Sequence, residues 1–348
     1  MKPRVSIVIN NFNYARYLEQ AIGSALSQTW ENIEVIVVDD GSTDNSRKII
    51  ERYKEQCTVI LKANGGQASA FNAGLRMVRG EYLLILDSDD YLYPRAIETF
   101  IEQFPENGAR VYCRARLVDG DGKDIVVTAA EMKRYYRDFE GDLFEHVRLG
   151  GDFFWSPTST NIIRADVVKA IGEIPEEDFR ISADAYLLVN ASLHGAVKSI
   201  DTELVAYRIH SNNNFASRTQ SYNDAKQLAR SIDDYYRRRI LFARPCQLKG
   251  VTDPTLPEWK DYELLKCLCV ALRLGVQSPH LEHWRRLSLA GLVMRYLRYG
   301  RLGFRRCIQA AFLFLILLLP KPIMLKLVSS RDNSATVEQP HSLVERTV

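Results

Sequence analysis

The sequence predicts an α/β domain with a mainly parallel sheet, followed by a helical extension and a polar tail. Three observations predict it. Short apolar runs alternate with helix-period segments through the first half of the chain. Acidic clusters stand directly behind two of those runs. Beyond about residue 220, helical patterns follow one another (224–243, 258–274, 281–299) with no acidic strand ends.

The elements follow in order. Val5–Ile9 is a first strand, and Tyr14 to Gln28 has helical spacing through Tyr17, Leu18, Ala21, Ile22, Ala25 and Leu26. "IEVIVV" (33–38) is a second buried strand, closed by "DDGSTD". There Ser42 and Thr43 are good caps for a helix over Ser46–Tyr53. Thr58–Leu61 is a third strand, "NGGQ" a turn, Ala68–Val78 a helix and Tyr82–Leu86 a fourth strand. Repetition at this spacing means βαβ units, whose crossovers make the strands parallel. In such sheets ligands bind beyond the carboxyl ends of the strands. Asp39-Asp40 and Asp87-Ser88-Asp89-Asp90 both fall there, so two strand ends aim carboxylates at one crevice.

Composition bounds the rest. At 348 residues the length fits about two domains, each able to bury its own core. The formal net charge of +3 supplies no global basic field, which argues against nucleic acid as a partner. Six cysteines show no zinc spacing and read as reduced thiols. The N-terminal apolar run is too short for a signal peptide and is expected to be a strand.

The acidic stretch "EYLLILDSDDYLYP" (81–94) carries the chemistry. A carboxylate at the mouth of a buried strand is costly unless something positive meets it. In an extended segment, residues two apart face the same way, so Asp87 and Asp89 can address one ion. Few clustered oxygens suit Mg2+ or Mn2+, which complete their shell with water and substrate phosphates. The plainer alternative is a solvated turn capping the next helix.

"VSIVINNFNYARYLEQAIGSALSQTWENIEVIVVDDGSTDNS", "NGGQASAFNAGL" and "GEYLLILDSDDYLYP", in that order and spacing, resemble the nucleotide-binding half of an inverting family-2 glycosyltransferase of the GT-A type. The resemblance covers roughly residues 4–215. It implies that Asn10, Asn11, Phe12 and Asn13 line the nucleoside pocket. Asp39 would take the base edge, and Asp40 with the Gly41–Asp44 turn would shape the pocket. Asn72 and Ser88 complete the implied donor set. Asp87 would lie near the ribose and the ion, and Asp89 would be the direct metal ligand. Phe71 departs from the pattern, which often carries an arginine there.

Further on, "DFRISADAYLLVNASLHG" (178–195) reads as a buried helix with Ser182 and Asp184 at its start, where a carboxylate also suits capping and the helix dipole. The family places a catalytic Glu-Asp pair here, which implies Asp184 as general base, with Ala183 in place of the usual Glu. "VAYRIHSNNNFASR" resembles the family's Tyr-Arg-x-His motif, implying His210 beside the diphosphate or metal. Between them, Trp155 in "GGDFFWSPTSTNIIRADVVKAIG" is an aromatic face suited to an acceptor sugar, with core packing of Phe153 and Phe154 as the alternative.

The expected organisation is a GT-A domain over 1–215, a helical, basic, membrane-associating extension over 216–331, and a disordered tail over 332–348. From Leu281 to Arg331 ten Lys or Arg oppose one acid, Glu282, an excess of +9. Inside that stretch "AAFLFLILLL" (310–319) is too short to span a bilayer, so an interfacial or a core element is expected. Basic and apolar together suit anionic lipid. The expected function is metal-dependent inverting transfer from a nucleotide-diphospho donor, a UDP-sugar, to a glycan or lipid-linked hydroxyl at the cytoplasmic membrane face. A sugar-phosphate nucleotidylyltransferase is the enzymatic alternative, but "NNFNYARY" lacks the glycine-rich loop which that class carries after its first strand. A nucleotide-binding membrane scaffold without turnover is the other.

Overall fold

A computed structural model describes residues 2–133, 135–143, 156–210, 269–271, 274 and 304–324. The chain divides into two compact units, Met1–Ala216 with Leu241–Pro254, and Ser217–Ile240 with Thr255–Val348. The expected helices over 224–243 and 281–299, most of that over 258–274, the asparagine-rich loop after His210, Trp155 and the tail lie outside the described residues.

In the first unit the order is β1 (Val5–Asn11), α1 (Ala15–Leu26), β2 (Ile33–Asp40), α2 (Ser46–Glu51), β3 (Thr58–Lys62), α3 (Gln67–Leu75), β4 (Tyr82–Asp87) and β5 (Tyr91–Leu92). Then come α4 (Ala96–Glu102), β6 (Gly108–Val118), α5 (Ala129–Met132), β7 (Glu140–Gly141), a 3-10 turn (Thr158–Thr160) and β8 (Asn161–Arg164). α6 (Ala165–Ile171), α7 (Ala183–Ser192) and β9 (Ala196–Arg208) close it. The sheet runs β3-β2-β1-β4-β8-β6-β9-β5, with β7 on β9. β1 to β4 pair in parallel, as the βαβ reading requires. The second half adds antiparallel pairs around β8, β5 and β7, making the sheet mixed.

Alternation of side chains builds three layers. Val5, Ile7, Ile9, Val35, Val37, Leu84 and Leu86 pack on one face, against Leu18, Ala21 and Ile22 of α1 and Ile97 and Phe100 of α4. Val8, Ile36, Val38, Leu83 and Ile85 face the other way, against Phe71 of α3, Val168 of α6 and Leu187 of α7. Both faces of each central strand are therefore apolar, which is why these strands read as continuous hydrophobic runs. Phe71 is fully buried in that core.

One charge sits inside the packing. Arg110 is 1% exposed, and its guanidinium donates to Asn161 Oδ1 at 2.8 Å, Ser192 Oγ at 2.7 Å and Ser156 Oγ at 2.5 Å. Burial pulls it down to about 10, so it stays charged near neutral pH. It ties β6 to the start of β8 and to the C-terminal end of α7.

In the second unit the expected apolar segment forms α8 (Phe304–Leu318). Phe312, Leu313 and Ile316 are buried within it, while Leu315 and Leu318 are exposed, as is Ile323 just beyond. No helix among the described residues is long and apolar enough to cross a membrane.

Candidate active site

Register sets the frame. Asn10 pairs with Asp87 across β1 and β4, and Asn11 pairs with Asp39 across β1 and β2. The carboxyl ends of three adjacent strands therefore present these four polar residues at one level.

Asp39 is fully buried and fully engaged. Its Oδ1 accepts from Asn11 Nδ2 at 3.3 Å, and its Oδ2 accepts from the Ser42 amide at 3.0 Å and Arg47 Nε at 3.2 Å. Asn11 also donates to Ser42 Oγ at 3.0 Å. The carbonyl oxygens of the Asn10 and Asn11 side chains are buried without a hydrogen-bond partner. Unpaired buried acceptors are rare, and a ligand N–H is one way to satisfy them. Asn13 takes a positive φ of 60°, and its Oδ1 accepts the Thr43 amide at 2.8 Å, pinning the Gly41–Asp44 turn. Phe12 stands 45% exposed at the mouth.

Asp40 turns to the glycine loop. Its carboxylate accepts from Lys62 Nζ at 2.7 Å and from the amides of Gly65 and Gly66 at 2.9 and 2.8 Å. Gly66, at φ 88°, has no room for a side chain, since a Cβ there would lie 2.5 Å from Arg180 Cγ. Asp40 thus acts on the crevice by folding this loop.

Asn72, expected in the donor set, has its carboxamide engaged within the protein. Its Nδ2 donates to the Ile174 carbonyl at 2.9 Å and Glu176 Oε1 at 3.1 Å, and its Oδ1 accepts the Ile174 amide at 2.9 Å. Both ends of the amide are spent in fastening segment 174–176 to α3, because a buried carboxamide needs internal partners.

The acidic turn is held by groups that the sequence reading passed over. Asp90 is 1% exposed; its Oδ1 accepts the Arg208 amide at 2.8 Å and its Oδ2 accepts from Ser159 Oγ at 2.6 Å. Ser159 in turn accepts the Asp87 amide at 3.0 Å. The Arg208 side chain donates from Nε to the Asp89 carbonyl at 2.7 Å and from Nη2 to Gln20 Oε1 at 2.7 Å, and its guanidinium lies 4.6 Å from the Tyr17 ring centre. The hydroxyl run in "SPTST" and the Arg of Tyr-Arg-x-His were the available signals. Ser88 is buried inside the turn.

Two expected metal ligands meet. Nε2 of His210 lies 3.0 Å from Asp89 Oδ2, and the ring stacks on Tyr17 with centres 5.1 Å apart. Burial, then the Asp89 and Asp184 carboxylates, push the Asp87 carboxyl well above its usual range. Burial, then Asp89 and Asp87, do the same to Asp90, against the opposing bonds from Ser159 and Arg208. Each binds its proton more tightly folded than unfolded. Without a cation, both therefore weaken the fold as pH rises from 3.8 through their raised folded values. The field from Asp184 brings a third chain segment, the start of α7, to the same crevice.

A divalent cation fits this chemistry, because crowded hard oxygens lack a counter-charge at Asp87. No group of three or more His, Cys, Asp or Glu is gathered as a metal site among the described residues. Asp89 and His210 would hold the ion, with Asp87 beside them and phosphate and water completing the shell.

Comparisons with known proteins bear on the family and the fold. The model for "Glycosyl transferase family 2" matches residues 6–159. An uncharacterised glycosyltransferase of Nostoc sp. (strain PCC 7120) is 34% identical over 233 residues, covering 65% of this chain and 71% of that protein. Chondroitin synthase of Pasteurella multocida is 41% identical over 128 residues, but these are 35% of this chain and 13% of that protein. Among solved structures, S. aureus TarS 1–349 in complex with UDP aligns over 98% of this chain and 94% of its own, with a TM-score of 0.52 at 17% identity, a likeness of fold. The fold is the α/β GT-A fold, and the chain belongs to the family-2 glycosyltransferases.

Proposed function

We propose that the protein transfers a sugar, with inversion, from a UDP-sugar to a hydroxyl of a glycan or lipid-linked acceptor, with Asp184 as general base. The observation that carries the reading is that Asp184, from the start of α7, acts on the acidic turn of Asp87 and Asp89, whose strand ends beside the Asn10, Asn11 and Asp39 cluster. The relatives named chondroitin synthase and hyaluronan synthase support a glycan acceptor.

Each side chain has a task. Asn10 and Asn11 offer unpaired oxygens to a base N–H, with Asp39 fixing the amide of Asn11. Asp89 and His210 would hold a divalent cation, which would supply charge stabilisation for the leaving diphosphate. Asp184 takes the proton from the acceptor hydroxyl as its oxygen attacks the anomeric carbon. That carbon loses its bond to the diphosphate oxygen, which departs as UDP with the electron pair.

The test is a thermal-shift comparison of UDP, GDP and ADP, each with and without Mn2+. UDP with Mn2+ at about a hundred times its dissociation constant should add about 2.7 kcal/mol, or roughly 5–10 °C. The gain should grow as pH rises, because a proton on Asp87, whose carboxyl is pushed up by burial and by Asp89, opposes the cation. If none of the three nucleotides moves the melting temperature under any condition, the donor reading is lost.

Attachment to the inner face of the cell membrane is part of the proposal. Its support is the exposed Leu315 and Leu318 on α8 and the +9 excess over residues 281–331. Full-length protein should bind vesicles containing 30% phosphatidylserine at physiological salt, and the Leu315→Glu, Leu318→Glu double variant should bind at least about tenfold more weakly, from the lost apolar burial. Equal binding by the two proteins, or none by the wild type, would count against it.

A further inference from the structure

We propose that Gln67 is a positioning residue for Asp184, capping from α3 the start of a helix to which it does not belong; this rests on the reading of Asp184 as the base. α7 begins without a cap of its own. Its N-cap, Ser182, makes no side-chain capping bond and sits in the left-handed region at φ 76°. Such a conformation is costly in a non-glycine residue and persists only where neighbours hold it.

The neighbour that holds it is Gln67. Its Oε1 accepts the amide of Ser182 at 2.8 Å and that of Ala183 at 2.9 Å. Both partners are backbone donors, so the side-chain atom facing them is the carbonyl oxygen. The Gln67 amide returns a bond to the Arg180 carbonyl at 2.8 Å. Three hydrogen bonds therefore join one residue of α3 to residues 180, 182 and 183, about 115 positions away in the chain.

The staple has a second arm. Arg180 donates from Nη1 to the Gly65 carbonyl at 3.1 Å and from Nη2 to Asn64 Oδ1 at 2.9 Å. Gly65 and Gly66 are in turn fixed by Asp40. A continuous chain of bonds thus runs from the end of β2, through the glycine loop and Gln67, to the residue next to Asp184. The first amides of α7 are thus held from α3 by Gln67. Ala183 is itself fully buried, and what it gives to the arrangement is its amide.

Removing the Gln67 acceptor leaves two helix-start amides without a protein partner and frees Ser182 to leave its strained conformation. Asp184, two residues on, then loses its fixed position. Misplacement by about 1 Å can cost on the order of 10²-fold in rate.

The experiment uses full-length Gln67→Met, which keeps length and loses the acceptor, Gln67→Glu, which keeps the acceptor, and Asp184→Asn. Three quantities are read: UDP release from UDP-glucose, UDP-galactose and UDP-N-acetylglucosamine with Mn2+ and water as acceptor, UDP affinity, and amide hydrogen exchange across 178–192. Gln67→Met should lower kcat by about 10–100-fold, hold UDP affinity within about twofold, and speed exchange at 182–183 by at least about tenfold. Gln67→Glu should recover both kcat and protection to within about threefold of wild type. Unchanged exchange in Gln67→Met, parallel loss of UDP affinity and melting temperature, or a Glu variant no better than Met would each overturn the proposal. An inactive Asp184→Asn beside a fully active Gln67→Met overturns this inference alone. A wild-type-like Asp184→Asn, or a wild type that releases UDP from none of the donors, overturns the proposed function and this inference with it.

Discussion

Replacing Asp184 by Asn should lower sugar transfer by about 10²–10⁴-fold, or roughly 3–5 kcal/mol in the barrier, while leaving nucleotide affinity and melting temperature near wild type. The side chains are equal in size, so what disappears is the capacity to accept a proton near neutral pH. Nucleotide affinity is spared because Asn10, Asn11, Asp39 and Asp89 come from other elements. Stability is spared because Asn keeps the size of Asp and can still cap the helix start, while the amides of Ser182 and Ala183 stay bonded to Gln67. Transfer within about threefold of wild type would remove Asp184 from the mechanism and turn attention to Glu176, which already bonds to Asn72, and to Glu173, Glu177 and Asp178.

Asp89→Ala should abolish metal stimulation of donor turnover, with a loss of at least about 10²-fold from the missing charge stabilisation. The turn itself should survive, since Arg208 grips the backbone carbonyl of Asp89 and Asp90 anchors the amide of Arg208. The metal-free variant should lose less stability than the wild type as pH rises above 3.8, because the Asp89 charge raises both Asp87 and Asp90, and its removal lowers the cost of ionising them. The diagnostic pattern is a smaller fall in melting temperature with rising pH without Mn2+ together with no gain on adding it. Retained manganese dependence in this variant would sink the assignment of Asp89 as ligand.

The sequence carried the first half of the fold well, and its small errors are informative. β1, β2 and β4 were read to residues 9, 38 and 86, but they run to Asn11, Asp40 and Asp87. An apolar-run criterion stops where the polar site begins, yet the backbone ladder continues through it and sets Asn10 against Asp87 and Asn11 against Asp39. The strand ends and the site are the same residues. β5, β7 and the eleven-residue β6 went unread, because their pairing partners are fixed by contacts far along the chain. The bonds of Asn72 went unread for a related reason: only the fold brings Ile174 to its amide. Gln67, Ser159 and Arg208 act wholly through partners 69 or more positions away, and no local spacing rule reports such bonds. The family match ends at residue 159, before Asp184, Arg208 and His210.

The clasp between Asp90 and Arg208 also sets an order of events during synthesis. The two residues are 118 positions apart, so the acidic turn leaves the ribosome long before the arginine that closes it. At about 5–20 residues per second, roughly 6–24 s separate them. Through that interval the nascent chain exposes Asp87, Asp89 and Asp90 behind an apolar β4 run, with neither β9 nor its guanidinium to fold against. The acidic crevice is therefore among the last parts of this unit to be completed, and a nascent chain halted before residue 208 holds β1 to β4 without a finished acidic turn.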